Sequence, residues 1–582
     1  MKRTSFSMVV LALAAMLVPA AQAQTLQVLT VGSSAQFGPF AVAAYALATA
    51  GGVKAYHYTV KAGIPGALVL HPFTDPVFEG DFGDLWVVWS ANGIWAYLSI
   101  DSTVGVRAFQ ASPRAVLSLY PLEDLPLSSL TNFPFWPDNT KDTALTQAVY
   151  NAINGHPFTA ANTDIRPEDA LFATTNALTN LRYGQPDTGP PPYYYPDLIG
   201  YPIQSHFTTR TATPIAFVLS GSDPFSGQPV SPPIVLPVGA APLVFLVNIS
   251  PGSGTSTATN LKVEENNTNN ASALFSGTGK CAGNLLDGVA STVALNPILN
   301  EPLSGAMNVA EFTDFQADNG YSQETGISGN NEPPGSDGNS NPLMLPCTSG
   351  SGLGSFGHRY RAIGADDMIT AVHATVNGVG YALFSNEPVN SSLNNTNYRY
   401  VTLDGVDPIN ATYTAGILPS CPTTSGHFNC PQAPGRSFPH LRDGTYRSWS
   451  IYRMLTDING LAATQKLIAQ TLVDVNLYVP DFVPFSPICR TSPTGSDEPG
   501  LDVYRQHFTP AGQTVVPNDG PQQLAVQCKL GGRHTLPYLT LGGVDSTGQN
   551  TEEGGDVGGL IVGPNRTAPV PPGPTGQTEK NN

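Results

Sequence analysis

The sequence predicts a mixed α/β protein with two or more lobes, and three observations lead to this fold class. Four segments along the chain each end an apolar run in a turn of small or polar residues, which is typical of strand–turn–helix units. A late segment, residues 457–484, has the apolar spacing of a helix that returns to the first lobe. At 582 residues, the chain is also far longer than one hydrophobic core usually supports.

The first unit, Leu26 to Ala50, is an apolar run that stops at Gly32 and continues as an alanine-rich segment. We expect a strand, a tight turn and a helix. The first N–H groups of such a helix have no partner within it, and the hydroxyls of Ser33 and Ser34 stand beside them. This is an anion pocket in outline, although serines that only cap the helix would give the same pattern.

The first 23 residues have the pattern of a cleaved signal peptide. Lys2 and Arg3 precede an apolar stretch from Met8 to Val18, and Ala21-Gln22-Ala23 supplies the small residues of a cleavage site. No later apolar run reaches the roughly 18 residues that a membrane span needs. We therefore expect a periplasmic or secreted protein without a membrane span.

Charge and cysteines fit this location. The formal net charge of −17 argues against a nucleic-acid partner, which would need a basic face. The six cysteines include no C-x-x-C pair, so disulfides are expected rather than zinc. Cys421 and Cys430 bracket a short loop and form the first predicted pair, and Cys281–Cys347 and Cys489–Cys528 follow by elimination.

Two further strand ends carry polar groups. Leu85 to Phe109 reads as two strands joined at Ala91-Asn92-Gly93, and the second strand ends at Asp101-Ser102-Thr103-Val104-Gly105. Residues 158–167 read as a strand ending at Asp164 before a proline-started helix over 167–181, and residues 144–153 have helical spacing. Ligands bind at the carboxyl ends of strands in open α/β sheets, so these turns are expected to share one crevice. A helix cap or an Asx turn would explain each turn separately.

The rest of the chain alternates apolar elements with long loops. Residues 184–235 and 316–358 read as surface insertions, and residues 542–582 as a disordered tail. Residues 233–248 form an apolar run that predicts a long strand crossing between lobes. A helix is expected over 284–290, and the run 295–299 followed by Pro302 to Met307 is the fourth strand–turn–helix unit.

A series of motifs, in order, is similar to phosphate-binding periplasmic proteins of ABC uptake systems. The motifs span about 430 residues, with large insertions between them. They are GSSAQF at 32–37, DSTVG at 101–105, Thr159 to Pro167, VGAAPLVFLVN at 238–248, LFSGTGKCAGNL at 274–285, PLSGAMNVAEF at 302–312, NGVGYALFS at 377–385 and GTYRSWSIYRML at 444–455.

The resemblance implies a two-lobed type 2 periplasmic-binding-protein fold with large loop insertions, in which the ligand lies between the lobes. One lobe would comprise residues 24–235 and 450–537, the other residues 236–449, with 538–582 as the tail. The implied ligand-binding residues are Ser33, Ser34, Gln36, Phe37, Ser102, Asp164, Ser304, Gly305 and Ala306.

Two positions depart from the motifs of that family. Ala306 lacks the hydroxyl of the usual Ser-Gly-Thr turn, and Asn300 stands where the family has a phosphate-binding arginine. Gln36 also replaces a usual threonine. Arg107 or Arg166 is a candidate for the missing positive charge.

Three functional interpretations remain open at this stage. The first is a non-enzymatic solute-binding protein for phosphate or another small oxyanion, with an ABC permease as a candidate partner and with no metal or cofactor. The second is a phosphatase-like enzyme on the same scaffold, although the sequence has no G-x-S-x-G, H-E-x-x-H or P-loop motif. The third is a surface or structural protein that kept the fold and lost the ligand.

Overall fold

The computed structural model describes most of residues 24–484 and two short strands at 490–491 and 497–498. Its longer gaps are 61–67, 72–82, 126–142, 172–220, 263–273, 311–344, 347–357, 386–396, 417–422 and 429–437. The predicted signal peptide, the tail, most of the helix over 167–181 and the larger part of both insertions lie outside the described residues.

The described elements alternate strands with helices. The strands are β1 (Leu26–Gly32), β2 (Lys54–Val60), β3 (Leu68–His71), β4 (Gly83–Ser90), β5 (Gly93–Ser99), β6 (Val116–Leu119), β7 (Ala160–Thr163), β8 (Gly221–Ser222), β9 (Pro229–Val230), β10 (Ile234–Asn248), β11 (Asn260–Leu261), β12 (Asn296–Asn300), β13 (Leu345–Pro346), β14 (His358–Ala362), β15 (Gly378–Leu383), β16 (Tyr398–Leu403), β17 (Thr423–Thr424), β18 (His427–Phe428), β19 (Trp449–Thr456), β20 (Val483–Pro484), β21 (Arg490–Thr491) and β22 (Asp497–Glu498). The α-helices are α1 (Phe37–Leu47), α2 (Ser102–Gln110), α3 (Gln147–Ile153), α4 (Gly305–Val309), α5 (Gly364–Ala374), α6 (Pro439–Arg442) and α7 (Leu461–Leu477), with 3-10 turns at Ser34–Gln36, Leu122–Asp124 and Gly283–Leu285.

One large mixed sheet runs through the described part of the chain in the order β13-β14-β12-β15-β10-β19-β7-β1-β5-β4-β2. Strand β1 pairs in parallel with β5 and β7, and β12 pairs in parallel with β14 and β15. We call the β1 side the first half of the sheet and the β12 side the second half. The predicted mixed α/β class is confirmed.

Strand β10 joins the two halves. Its residues 234–242 pair with β19 in the first half, and its residues 243–247 pair with β15 in the second. Nearly all of this strand is buried, which explains its unbroken apolar sequence. The crossing strand expected from the sequence is thus confirmed, while the proposed lobe boundaries stay a prediction.

The first half is held together by an aromatic cluster and by the late helix. Phe37 packs edge-on against Tyr97 at 5.3 Å between ring centroids, and the Trp86 indole donates to the Phe37 carbonyl at 3.0 Å. Helix α7 packs against α1, as expected for a segment that returns to the first lobe. These contacts hold the turn between β1 and α1 against the buried core of the first half.

Several sequence-based boundaries were wrong. The expected helix at 284–290 is only a 3-10 turn, because Leu286 bridges Leu261 and Gly288 turns the chain at φ 83°. Helix α3 begins at Gln147 rather than near 144, since the Thr146 side chain caps it by accepting from the Val149 N–H. The insertion at 316–358 contains β13 and the first residue of β14.

Three further observations concern membranes, metals and cysteines. No helix in the described ranges is both long and apolar enough to cross a membrane. The described residues contain no group of three or more His, Cys, Asp or Glu side chains that could hold a metal ion. Cys281 is buried, and the other five cysteines lie outside the described residues, so the pairings stay predictions.

Candidate functional site

Turns from both halves of the sheet meet at one small cleft. From the first half come Ser34 and Ala35 after β1, Asp101 after β5 and Asp164 after β7. From the second half come Asn300, Ser304 and Ala306 at the end of β12 and after it, Ala365 after β14, and Ala382 and Leu383 at the end of β15. The space left between them is about the size of one water molecule. The cleft therefore lies where carboxyl ends of parallel strands converge, the usual place for a ligand in an α/β sheet.

Asp164 is the most constrained side chain of the cleft. Its Oδ1 accepts from the Ser33 hydroxyl and, at 3.2 Å, from the Gln36 amide; its Oδ2 accepts from the Ser102 hydroxyl at 2.8 Å. The Asp164 N–H donates back to the Ser102 oxygen at 3.0 Å, and the Asp164 carbonyl accepts from the Ser450 hydroxyl. Three donors thus hold a nearly inaccessible carboxyl in one orientation.

Burial and hydrogen bonding act in opposite directions on this carboxyl. Burial raises the pKa of Asp164 above its ordinary value, while the hydrogen bonds from Ser33, Ser102 and Gln36 and the charge of Arg453 lower it, with burial the larger effect. An ionised carboxylate has about four lone-pair sites, and the three donors leave one for a ligand. In its ionised form, Asp164 can therefore accept one further hydrogen bond, from a ligand.

The residues of the first predicted loop divide between the cleft and the core. Ser34 is half-buried and lines the cleft, but Ser33 is fully buried and turns its hydroxyl to Asp164. The Ser33 N–H donates to the Asn162 carbonyl at 3.1 Å, so the outward-facing Ser33 expected from the sequence is wrong. The Gln36 side-chain N–H also donates a hydrogen bond to the Thr163 carbonyl, and the Phe37 ring packs in the aromatic cluster. These three residues support Asp164 and the core instead of lining the cleft.

Ser102 likewise reaches Asp164 and does not line the cleft. Its helix α2 packs closely on β1 because Gly105 has no side chain: a Cβ there would lie 2.4 Å from the Gly32 Cα. The glycine of the DSTVG motif therefore sets how deeply Ser102 enters the site.

The Ser304-Gly305-Ala306 turn belongs to the second half of the sheet and contacts residues of the first half. The Ser304 hydroxyl oxygen caps α4 by accepting from the Ala306 N–H at 3.2 Å. A Cβ added at Gly305 would lie 2.6 Å from Asp164 Oδ2 and from Ser102 Oγ. Gly305 is thus in direct contact with the Asp164 network, and only glycine leaves room for it.

Asn300 and the two candidate arginines differ in position. Asn300 lines the cleft, and its side-chain N–H donates to the Tyr381 carbonyl at 3.0 Å. Arg107 is buried and forms a 2.7 Å salt bridge with Asp223, outside the lining of the cleft. Arg166 lies outside the described residues. Among the described lining residues, two are carboxylates and none is basic.

Sequence reasoning missed four parts of the lining, the first of them Ala35, which stands between Ser34 and Gln36 in the first predicted loop. It assigned Ser102 rather than Asp101 to the ligand, although both stand in the same turn. It missed Ala365, although the run HRYRA before Gly364 was a usable strand signal. It also assigned no role to Ala382 and Leu383, which end a strand that it had identified by motif.

No protein-family model matches the chain, and no curated protein matches it. Three solved structures to which it is similar are two phosphate-binding proteins and a phosphate transport receptor. A high-affinity periplasmic phosphate-binding protein (PfluDING) bound with phosphate is 12% identical with a TM-score of 0.30, over 79% of this chain and 90% of that chain. A phosphate-binding protein from Stenotrophomonas maltophilia is 12% identical with a TM-score of 0.30, over 67% and 83%. An ABC-type phosphate transport receptor from Vibrio cholerae is 14% identical with a TM-score of 0.21, over 41% of this chain and only 65% of that chain.

Identities of 12–14% and TM-scores of 0.21–0.30 are too low to assign a function to this chain.

Proposed function

We propose that this protein is an exported solute-binding protein whose cleft captures a small protonated oxyanion, with phosphate as the first candidate. One observation carries the proposal: three donors fix Asp164 as an acceptor at the point where turns from both halves of the sheet meet. A site of this kind binds and orients a ligand that brings its own proton.

The donors for the remaining ligand oxygens come from turns and hydroxyls. The first N–H groups of the 3-10 turn at Ser34 and of α5 at Ala365 have no partner within their helices, and helix N-termini favour negative charge. Since Ser304 Oγ already accepts from the Ala306 N–H, its own proton is available to donate. Ser34 adds a second hydroxyl at the cleft.

Ser33, Gln36 and Ser102 act indirectly in this proposal. Their donors stabilise the charged form of Asp164 against the cost of burial, so they position the acceptor and do not touch the ligand. Arg107 is excluded from the binding role because it forms its salt bridge with Asp223, in the β8–β9 hairpin and away from the cleft.

A cleft with Asn300 in place of an arginine should bind phosphate weakly. A hydrogen bond to a charged group contributes about 1.5–3 kcal/mol, so its loss lowers affinity roughly ten- to a hundred-fold.

The free space in the cleft is small, so the turns of the two halves must separate to admit a tetrahedral anion. We expect binding to be coupled to opening of the cleft.

The wider role that fits this chemistry is capture of the anion outside the cytoplasm for an ABC permease. No cofactor is needed, because binding requires only hydroxyls, amides and one carboxylate. In this role the protein binds and releases the anion without changing it chemically.

Thermal unfolding against a panel of phosphate, arsenate, sulfate, molybdate and small carboxylates tests this function. A ligand at about a hundred times its dissociation constant adds about 2.7 kcal/mol to stability, which raises the melting temperature measurably. We expect phosphate and arsenate to stabilise the protein and sulfate to have no effect, because sulfate carries no proton for Asp164 near neutral pH. The Asp164→Asn variant should lose this preference. No response to any anion would favour a protein that kept the fold without the ligand, and turnover of a chromogenic phosphate ester would favour an enzyme.

A further inference from the structure

A chain of buried side-chain hydrogen bonds reaches Asp164 from the core of the first half. The Thr30 hydroxyl on β1 donates to Asn162 Oδ1 on β7. The Asn162 side-chain N–H donates to Gln36 Oε1 at 3.1 Å. The two N–H groups of Gln36 in turn donate to the Thr163 carbonyl at 2.9 Å and to Asp164 Oδ1 at 3.2 Å. Thr30, Asn162 and Gln36 are fully buried and lie outside the lining of the cleft.

The direction of this chain is fixed at its Gln36 end. A backbone carbonyl can only accept a hydrogen bond, so the group that faces the Thr163 carbonyl is the amide nitrogen of Gln36. The Gln36 oxygen therefore faces Asn162, which must present its own nitrogen. The Asn162 oxygen is then left for the Thr30 hydroxyl. This order keeps an N–H group on Asp164 Oδ1.

The chain also determines which oxygen of Asp164 is left for a ligand. Each carboxylate oxygen has about two lone-pair sites, and Oδ1 uses both, for the Ser33 hydroxyl and the Gln36 amide. Among the described residues, only the Ser102 side chain donates to Oδ2. A Cβ added at Gly305 would lie 2.6 Å from Oδ2, so this oxygen faces the turn from the second half. Oδ2 is therefore the oxygen within reach of an anion held between the two halves.

The charged groups near the chain do not change its direction. Arg453, on β19 opposite Thr163, lowers the pKa of Asp164 against the larger effect of burial. Burial and the charges of Asp164 and Asp101 raise the pKa of Tyr97, so this phenol stays neutral. The three side chains of the chain do not themselves titrate, so its order is the same at every pH used below.

We propose that Asn162 is a positioning residue for ligand recognition: through Gln36 it holds an N–H group on Asp164 Oδ1, so that Oδ2 alone can accept the proton of a bound anion. Thr30 has the same role one step further back, because its hydroxyl fixes the Asn162 amide. The inference rests on the proposed function, since it assigns the acceptor atom for the same anion. Without the chain, Oδ1 would gain an open site that does not face the second half, and the anion would be held less precisely.

The test is calorimetric titration of inorganic phosphate between about pH 5 and about pH 9, with wild type and N162D compared at each pH. A protonated carboxyl at this position offers one donor and one acceptor, as the amide does, whereas an ionised one offers only acceptors and repels the Gln36 oxygen. Burial and the charge of Asp164 should raise the pKa of this carboxyl, and Arg453 acts the other way. N162D should therefore bind phosphate nearly as wild type at the acidic end and about tenfold more weakly than wild type at the alkaline end.

Two further variants test whether Asn162 acts through Gln36. N162L gives the Gln36 oxygen no partner and should weaken phosphate binding about fivefold at every pH, as the loss of one neutral hydrogen bond implies. In the Q36L background, the same change should have no further effect on affinity, because the residue through which it acts is gone. A purely structural role for Asn162 would give equal losses in both backgrounds.

T30V is the milder variant, for the case that the Asn162 variants do not fold. It removes only the hydroxyl at the far end of the chain, which contacts neither Asp164 nor the cleft. It should still weaken phosphate binding, by about two- to fivefold.

Asn154→Asp is the matched control. Asn154, which follows α3, also uses both ends of its amide: its oxygen accepts from the Leu119 N–H at 2.8 Å, and its nitrogen donates to the Tyr150 hydroxyl at 3.1 Å. It lies outside the lining of the cleft, so N154D should keep the wild-type affinity at every pH.

The inference is overturned if wild type binds phosphate and N162D shows no loss of affinity that grows with pH, or if N162L weakens binding equally with and without Q36L. Wild-type affinity in T30V would overturn it as well. Absence of phosphate binding by wild type at every pH would instead overturn the proposed function, and the inference with it.

Discussion

Ser33→Ala tests whether the buried hydroxyl of Ser33 stabilises the charged form of Asp164. The change removes one hydrogen bond to Asp164 Oδ1 and leaves that oxygen only the Gln36 amide at 3.2 Å. The Ser33 backbone bond to Asn162 is unaffected. Since hydrogen bonds to charged groups contribute about 1.5–3 kcal/mol, the free energy of unfolding should fall by about that amount at pH 8.

The loss should depend on pH in a defined direction. With one donor fewer, the pKa of Asp164 in the folded protein rises further above its value in the unfolded chain. A carboxyl with a raised folded-state pKa destabilises the protein above that pKa and not below it, so the loss should shrink as the pH falls. Urea unfolding at about pH 5 and about pH 8 measures both values.

Ser385→Ala is the matched control for this experiment. Ser385 is equally buried, but its hydroxyl has no hydrogen-bond partner among the described residues, so its removal should cost little at either pH. A Ser33→Ala loss that is the same at both pH values, or no larger than the loss in Ser385→Ala, would refute the assignment of Ser33 as a support for a charged Asp164.

Three further predictions concern the cleft and its surroundings. Gly305→Ala should abolish phosphate binding and lower the melting temperature, because its Cβ would lie 2.6 Å from Asp164 Oδ2; titration that gives wild-type affinity would contradict the close contact. Arg107→Ala should lower the free energy of unfolding by about 3–5 kcal/mol by leaving Asp223 unpaired, with the phosphate affinity of the folded protein unchanged; a large loss of affinity would return Arg107 to the site. Burial raises the pKa of Asp474 from 3.8 to about 6, so ionisation destabilises the native state above about pH 6 and not below about pH 4. Asp474→Asn should therefore be more stable by up to about 3 kcal/mol near pH 8 and not near pH 4, and equal gains at both pH values in urea unfolding would contradict this.

The positions of the strand ends were predictable from the sequence. Turn-forming residues stand at or just after the ends of three strands: Gly32 ends β1, Asp101 follows β5 and Asp164 follows β7. The long apolar run of β10 likewise indicated a strand buried on both faces. These signals are local, so they identify which turns can meet at a cleft.

The direction of each side chain could not be predicted in the same way. Ser33 points to Asp164, which is 131 residues later, and Arg107 pairs with Asp223 in the β8–β9 hairpin, which lies within the insertion expected at 184–235. Such partners are chosen by tertiary packing, which no local pattern reports. The positive φ of Asp101 was equally invisible, because the sequence shows an aspartate before a helix and such a residue is ordinarily a cap.

The helix wrongly expected at 284–290 has a local reason. Asp287-Gly288 is a turn signal inside an otherwise helical spacing, and Gly288 takes a positive φ there. The turn residues therefore determined the conformation of this segment, and the helical spacing of its apolar residues did not.

A crystal structure of the protein grown with phosphate at mildly acidic pH tests the central claim most directly. The account predicts a tetrahedral anion in the cleft, with one oxygen within hydrogen-bond distance of Asp164 and others near the Ser34 turn and the Ser304 hydroxyl. It also predicts that the turns on the two sides of the cleft lie further apart than in the structure described above. An empty cleft under saturating phosphate, or an anion held by an arginine elsewhere in the chain, would contradict it.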